Sequence, residues 1–165
     1  MRLVDGRAVI DDLDAFLGDL DAVADDAGCT VQAFDARYVV GRDHLARAVE
    51  LADRAFTRGE NVARDRGIEI TLYAAGRRQI NEALDLGVAE GELPVVVLCD
   101  GGDEAEAAAE DRVRDLLDDS VDALGDYDEA LVREFFDVTA TELAATDGDL
   151  GDVVLERVAL LDVRK

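Results

Sequence analysis

Two short runs of the sequence gather side chains suited to holding an anion. Arg58 stands beside Gly59 at the end of a helical pattern, and Arg77, Arg78 and Gln79 follow Gly76. A guanidinium offers a rigid fork of donors that fits phosphate oxygens and stacks on base faces. The amide of Gln79 can read a base edge or bond a phosphate. Both runs lie between residues 37 and 78, a stretch with nine arginines, six acids and a net charge of +3. The flanking parts carry -7 and -19, and the whole chain -23. A basic island inside so acidic a protein points to an anionic partner.

Other chemistry is poorly supplied. His44 is the only histidine, starts a helical pattern, has no cysteine nearby and reads as structural. Cys29 and Cys99 are 70 positions apart and form no CxxC. They read as reduced buried thiols, so no metal and no cofactor is expected. There is no Gly-x-x-x-x-Gly-Lys loop and no GxSxG. Carboxylate pairs abound, but on an acid-coated surface their adjacency does not identify a general acid and base. A non-enzymatic binding module fits better than a catalyst.

Behind these side chains the periodicity predicts the following elements. Asp5-Gly6, between two short apolar pieces of residues 2–10, is a hairpin turn signal. Leu13, Phe16, Leu17, Leu20 and Val23 mark an amphipathic helix over 11–27 that stops at Gly28. Residues 29–40 read as a strand and 42–58 as a helix burying Leu45, Val49, Ala52 and Phe56. Asn61–Arg66 adds a further helical turn or two, Ile68–Tyr73 reads as a strand, and Ala74-Ala75-Gly76 as a tight turn. Arg77–Leu86 is then a short helix with Ile80, Ala83 and Leu84 inward, and Val95–Cys99 a buried strand. An acidic helix over 103–118, with Val113, Leu116 and Leu117 inward, is followed by three helical pieces. Asp126 with Glu129 and Thr139 with Glu142 have capping-box spacing, and the last piece, 150–163, is apolar around most of its circumference. The fold class is α/β: a single small mixed sheet, partly parallel, flanked by helices, with an all-helical C-terminal third, in one domain over 1–165.

In that layout three strand–glycine–helix junctions, at Gly41, Gly76 and Gly101-Gly102, would gather on one sheet edge where ligands bind. Arg77 and Arg78 would stand in the first turn of a helix, where the macrodipole disfavours cations. Breaking a local rule in this way is a sign of function. Arg47, Arg54 and Arg58 share one helix stripe, but Asp43–Arg47 and Glu50–Arg54 have i, i+4 pairing distance, which leaves Arg58 the better candidate. The acids are interleaved with apolar residues at helical spacing. With 27 Asp, 13 Glu, 16 Arg and one Lys, the composition looks like that of a cytoplasmic, halophile-like protein. No signal peptide or membrane span is expected.

The run Ala55-Phe56-Thr57-Arg58-Gly59-Glu60-Asn61-Val62-Ala63-Arg64, then Gly67-Ile68-Glu69-Ile70, then Tyr73-Ala74-Ala75-Gly76-Arg77-Arg78-Gln79-Ile80, is similar to a known family. It resembles the small regulatory subunit of the KEOPS complex, the archaeal and eukaryotic assembly that makes threonylcarbamoyladenosine in tRNA. The animal member is the PRPK-binding protein. The closing Glu156–Val163 run also looks like archaeal members, so the resemblance spans about residues 30–163. Ala75 stands where serine is expected, and the acidic segment 103–126 has no counterpart in the resemblance. The resemblance implies a non-catalytic accessory subunit that binds and stimulates the kinase/ATPase subunit and binds the tRNA 3′ CCA tail. The threonylcarbamoyltransferase subunit would be an indirect partner. The motif positions that could hold the tail are Arg58, Asn61, Arg64, Arg77, Arg78 and Gln79. For the kinase the apolar last helix is the candidate, at Val154, Val158 and Leu161. A separate reading also stands: an α/β enzyme or sensor that binds a phosphorylated small ligand at a Gly76–Gln79 helix start.

Overall fold

The computed structural model describes residues 1–164, with side chains through residue 163. Its sheet has three strands in the order β1-β3-β2: β1 Arg2–Ile10, β2 Thr30–Asp35 and β3 Gly91–Asp100. The fold class is α/β, with helices on both faces of one small sheet and a helical C-terminal third. The expected parallel pairing does not occur, because β3 pairs antiparallel with each neighbour. β1 and β2 do run the same way, linked by α1 (Leu13–Ala27), but β3 lies between them. Buried on both faces, β3 is the near-continuous apolar run that the sequence shows at Val95–Cys99.

Two layers of side chains sandwich the sheet. On one face Val4, Ala8, Val31, Ala33, Val95 and Val97 pack against Leu20 and Val23 of α1 and Ala109 and Val113 of α5 (Asp103–Leu116). On the other, Phe34, Val96 and Leu98 pack against α2 (Arg42–Arg58), α3 (Arg66–Ala75) and α8 (Leu150–Arg164). Each valine, leucine or phenylalanine side chain fully buried here stabilises the fold by about 1.5–3 kcal/mol. A third cluster, including Val132, Phe136, Leu150 and Val154, joins α6 (Glu129–Phe135) to α8, with α7 (Ala140–Ala145) beside it.

Four local expectations are corrected. Residues 2–10 are one strand, and Gly6 serves a close approach instead of a turn. A Cβ there would lie 2.5 Å from the carbonyl oxygen of Asp119. Asp119 belongs to a strap along the outer edge of β1, where Arg7 N–H donates to Asp119 O (2.9 Å) and Asp5 accepts from the N–H groups of Ala123 and Leu124 (2.8 and 3.0 Å). The strap covers an otherwise open sheet edge, and part of the acidic segment 103–126 thereby gains a role. The strand expected over 29–40 ends at Asp35, and a 3₁₀ turn, Ala36–Tyr38, follows it. Asp128 caps α6 in place of Asp126, accepting from Leu131 N–H at 3.1 Å, while Thr139 caps α7 as expected.

The largest correction is α3. Ile68–Tyr73 is helical, and residues 61–65 form a loop. Asp65 caps the helix by accepting from Ile68 N–H (2.9 Å), and Gly76 closes it at φ +62°. Gly67 and every residue from Glu69 to Ala75 are buried, so the helix lacks the polar face that would announce its period.

Candidate nucleic-acid interface

α2 and α3 run antiparallel: His44 Nε2 near the start of α2 bonds the Ala74 carbonyl near the end of α3 (2.7 Å), and Arg66 at the start of α3 pairs with Asp53 late in α2 (2.8 Å). The six expected tail-binding residues therefore fall at opposite ends of α3. Arg58 is the last residue of α2, and Asn61 and Arg64 lie on the loop that enters α3. Arg77, Arg78 and Gln79 leave it. Ten helical residues span about 15 Å, so these residues frame two sites, not one pocket.

At the entry end, Arg58 and Arg64 are exposed, and neither makes an ion pair among the described residues. Their neighbours behave differently. Arg47 pairs with Glu50 (2.7 Å), Arg54 with Glu50 and Asp162 (3.5 and 3.3 Å), and Arg66 with Asp53 and Asp100 (2.8 and 2.6 Å). Asn61 turns its amide inward and donates to the Ala63 carbonyl at 2.8 Å. Beneath the loop lies Glu69, fully buried, whose carboxylate accepts from the N–H groups of Val62 and Ala63, both at 3.0 Å. Glu69 was hidden in the sequence because the Ile68–Tyr73 run reads as a strand.

At the exit end the geometry differs from a helix start. Arg77 follows the C-terminal cap of α3, and its N–H donates to the Leu72 carbonyl (3.1 Å), so it stands where the macrodipole favours a cation. Its guanidinium carbon lies 4.9 Å from the centre of the Phe135 ring, and its Nη2 donates to the Phe135 carbonyl. Arg157 completes this end of α6, donating to the carbonyls of Phe136 and Asp137 (3.1 and 3.3 Å) and pairing with Glu142 (2.6 Å). Two arginines thus satisfy carbonyls that a helix C-terminus leaves open. Arg78 and Gln79 are exposed, and Arg78 makes no ion pair among the described residues. The following helix, α4 (Ile80–Ala83), is a single turn, with Ala83 buried and Ile80 and Leu84 exposed.

Arg77 also borders a groove of about 620 Å³ lined by Arg37, Tyr38, Glu82, Asp85, Glu134 and Phe135 among others. The Tyr38 and Phe135 rings meet edge to face, with centroids 5.7 Å apart. Burial raises the Tyr38 hydroxyl pKa, and the charge of Asp35 raises it further. Asp35 already holds Arg37 through two hydrogen bonds (3.0 and 2.7 Å), so the groove is acidic and does not suit a phosphate.

The three glycine junctions do not share an edge. Gly41 follows the 3₁₀ turn, Gly76 ends a helix, and only Gly101-Gly102 links a strand to a helix. There the start of α5 is occupied by Glu106, which accepts from Gly101 N–H at 2.9 Å. Val154, Val158 and Leu161 of α8 are buried at 0%, 0% and 3% exposure, so none of them is surface. Elsewhere on α8, Leu155 and Ala159 are half-buried and Val163 is 80% exposed. Leu155 borders a hollow against Ala46, Arg47 and Glu50 of α2. Both cysteines are free, and burial pushes the Cys99 thiol up to about 12. Among the described residues no helix is long and apolar enough to cross a membrane, and no cluster of His, Cys, Asp or Glu is placed to hold a metal ion.

No curated protein matches the chain. The profile of one protein family covers residues 15–162, most of both helical layers and the whole of β2 and β3. On that match the chain belongs to the CGI-121 family of kinase binding proteins.

Proposed function

We propose that this protein is a non-catalytic accessory subunit of the KEOPS complex, acting in threonylcarbamoyladenosine modification of tRNA in the cytoplasm. It binds and stimulates the kinase/ATPase subunit and holds the tRNA 3′ CCA tail, and the threonylcarbamoyltransferase subunit is its indirect partner. One observation carries the RNA half of this reading. Arg58, Arg64 and Arg78 have no acid partner among the described residues of a chain with 40 acids and 17 bases. Holding cations apart from so many carboxylates keeps them available for an outside anion.

The two ends of α3 take different parts of the strand. Arg78 and Gln79 grip the terminal nucleotides by stacking and base-edge bonds, and Arg58 and Arg64 contact phosphates further up. Stacked nucleotides rise about 3.4 Å each, so about four to five of them cover the ~15 Å between the sites. Arg77 acts as the frame, fixed on Phe135, and Asn61 holds its loop. The phosphorylated-ligand alternative has less support, since Arg77 and Arg78 leave a helix C-terminus instead of opening a helix.

Binding of tRNA with an intact CCA end, measured against tRNA trimmed of it, tests this reading. Arg78→Ala is expected to weaken only the intact tRNA, by about tenfold, which is ~1.4 kcal/mol. Arg58→Ala and Arg64→Ala should weaken both RNAs and lower the salt slope by about one each. Equal affinity of the wild-type protein for intact and trimmed tRNA would sink the tail assignment. The kinase docks on the α2–α8 seam at Leu155, Ala159 and Val163, in place of the buried Val154, Val158 and Leu161. Leu155→Glu should abolish co-purification with the kinase and leave RNA affinity unchanged, and retained co-purification would refute that surface.

A further inference from the structure

We infer that Glu69 is a positioning residue for the entry-end arginines, an inference that rests on the RNA-binding reading above. Burying a carboxylate completely is costly unless donors replace its water. Glu69 is 0% exposed, and its Oε1 accepts from Val62 N–H and Ala63 N–H, both at 3.0 Å, with Oε2 3.3 Å from Val62 N. It stands in the first turns of α3, where the macrodipole also favours an anion. Within the same loop, the Asn61 amide donates to Ala63 O at 2.8 Å. Residues 61–63 are thus pinned by two side chains.

The side chains that would meet RNA flank this pin. Arg58 and Arg64 have no ion-pair partner among the described residues, so nothing at their tips orients them. Their placement comes from the backbone that carries them, and that backbone bends at Gly59, which has φ +68°. Both N–H groups converge on Oε1, while Oε2 lies 3.3 Å from Val62 N, so Gln keeps the first acceptor but sets its –NH2 against Val62 N–H and removes the charge that the donors hold. Glu69 therefore sets the spacing of two guanidinium groups without touching the ligand.

Full-length Glu69→Gln, Arg64→Ala, Arg78→Ala and the two double variants with Glu69→Gln are titrated with an RNA acceptor hairpin ending in single-stranded CCA. Glu69→Gln should bind about tenfold more weakly. Combined with Arg64→Ala it should lose little beyond Arg64→Ala alone, whereas combined with Arg78→Ala the losses should multiply. A purely structural role would multiply in both pairs, and that result overturns the inference, as does wild-type affinity in Glu69→Gln. A wild-type protein that ignores the hairpin removes the RNA reading and the inference with it, visibly in the wild-type titration alone. If Glu69→Gln does not fold, Asn61→Ala loosens the same loop by removing its other side-chain bond. It should weaken hairpin binding about threefold to fivefold and speed amide hydrogen exchange at Val62 and Ala63. Unchanged binding in that variant overturns the inference.

Discussion

His44 shows how burial fixes the state of a single side chain. Its Nδ1 accepts from Val40 N–H (3.3 Å), which leaves Nε2 as the donor to the Ala74 carbonyl (2.7 Å), so the neutral ring has one usable tautomer. Burial lowers its pKa from 6.5 to about 4. The unfolded chain takes up this proton near pH 6.5, and the folded one refuses it until about pH 4. The contribution is complete above pH 6.5 and is lost as the pH falls to 4, on the order of 3 kcal/mol in all. His44→Gln keeps a donor for Ala74 and has no proton to gain. Its melting temperature should fall less steeply than that of the wild type between pH 6.5 and 4, and parallel curves would refute the assignment. Arg77 supplies a second contrast at this scale. Arg77→Ala loses the ring contact and a charged bond to the Phe135 carbonyl, and should cost about 1–2 kcal/mol in denaturant unfolding. Arg78→Ala, with no ion pair to lose, should stay within about 0.5 kcal/mol.

Gly6 shows how one element depends on another. A methyl group at this position would sit 2.5 Å from Asp119 O and 2.9 Å from the Leu117 side chain. Gly6→Ala should therefore lift the strap from β1, destabilise the fold by about 1–3 kcal/mol, and speed amide exchange at Arg7 and Val9, whose N–H groups bond Asp119 and Asp118. Exchange unchanged at both amides would rule that out. The same glycine shows where the sequence misleads. Asp-Gly is a turn signal by local preference, and only a segment more than a hundred positions away explains it as a contact. α1 and α2 were legible because each has an apolar stripe, a polar face and a glycine stop at Gly28 or Gly59. α3 was not, because Ile68, Ile70 and Thr71 favour strands locally and burial on all sides hides the helical period. Its end signals, Asp65 and Gly76, were present in the sequence but carry weight only once the middle is read as a helix. The candidate arginines were legible as residue types against an acidic background. Their division into engaged Arg77 and available Arg58, Arg64 and Arg78 depends on α6, which no nearby residue announces. Val154, Val158 and Leu161 stand out in the sequence only by apolarity, which marks core and docking surface alike.

For the whole molecule, a net charge of -23 means that folding brings like charges together. The Debye length shrinks from about 10 Å at 0.1 M salt to about 3 Å at 1 M. The melting temperature should accordingly rise with potassium chloride over that range, by about 2–4 °C for each kcal/mol of repulsion relieved. A flat or falling melting curve would count against repulsion as the governing term. RNA would meet the same screening, which favours close stacking at Arg78 over long-range attraction. The strand order adds a constraint on assembly. The middle strand is the last of the three to be synthesised, and even the nearest pair, Asp35 and Val95, is 60 positions apart. No ladder can begin until the chain is more than half made, so β1 and β2 emerge without partners. Such non-local closure slows folding and leaves two unpaired strands exposed on the ribosome. The acids that coat the early helix α1 would keep those strands from finding a neighbouring chain first.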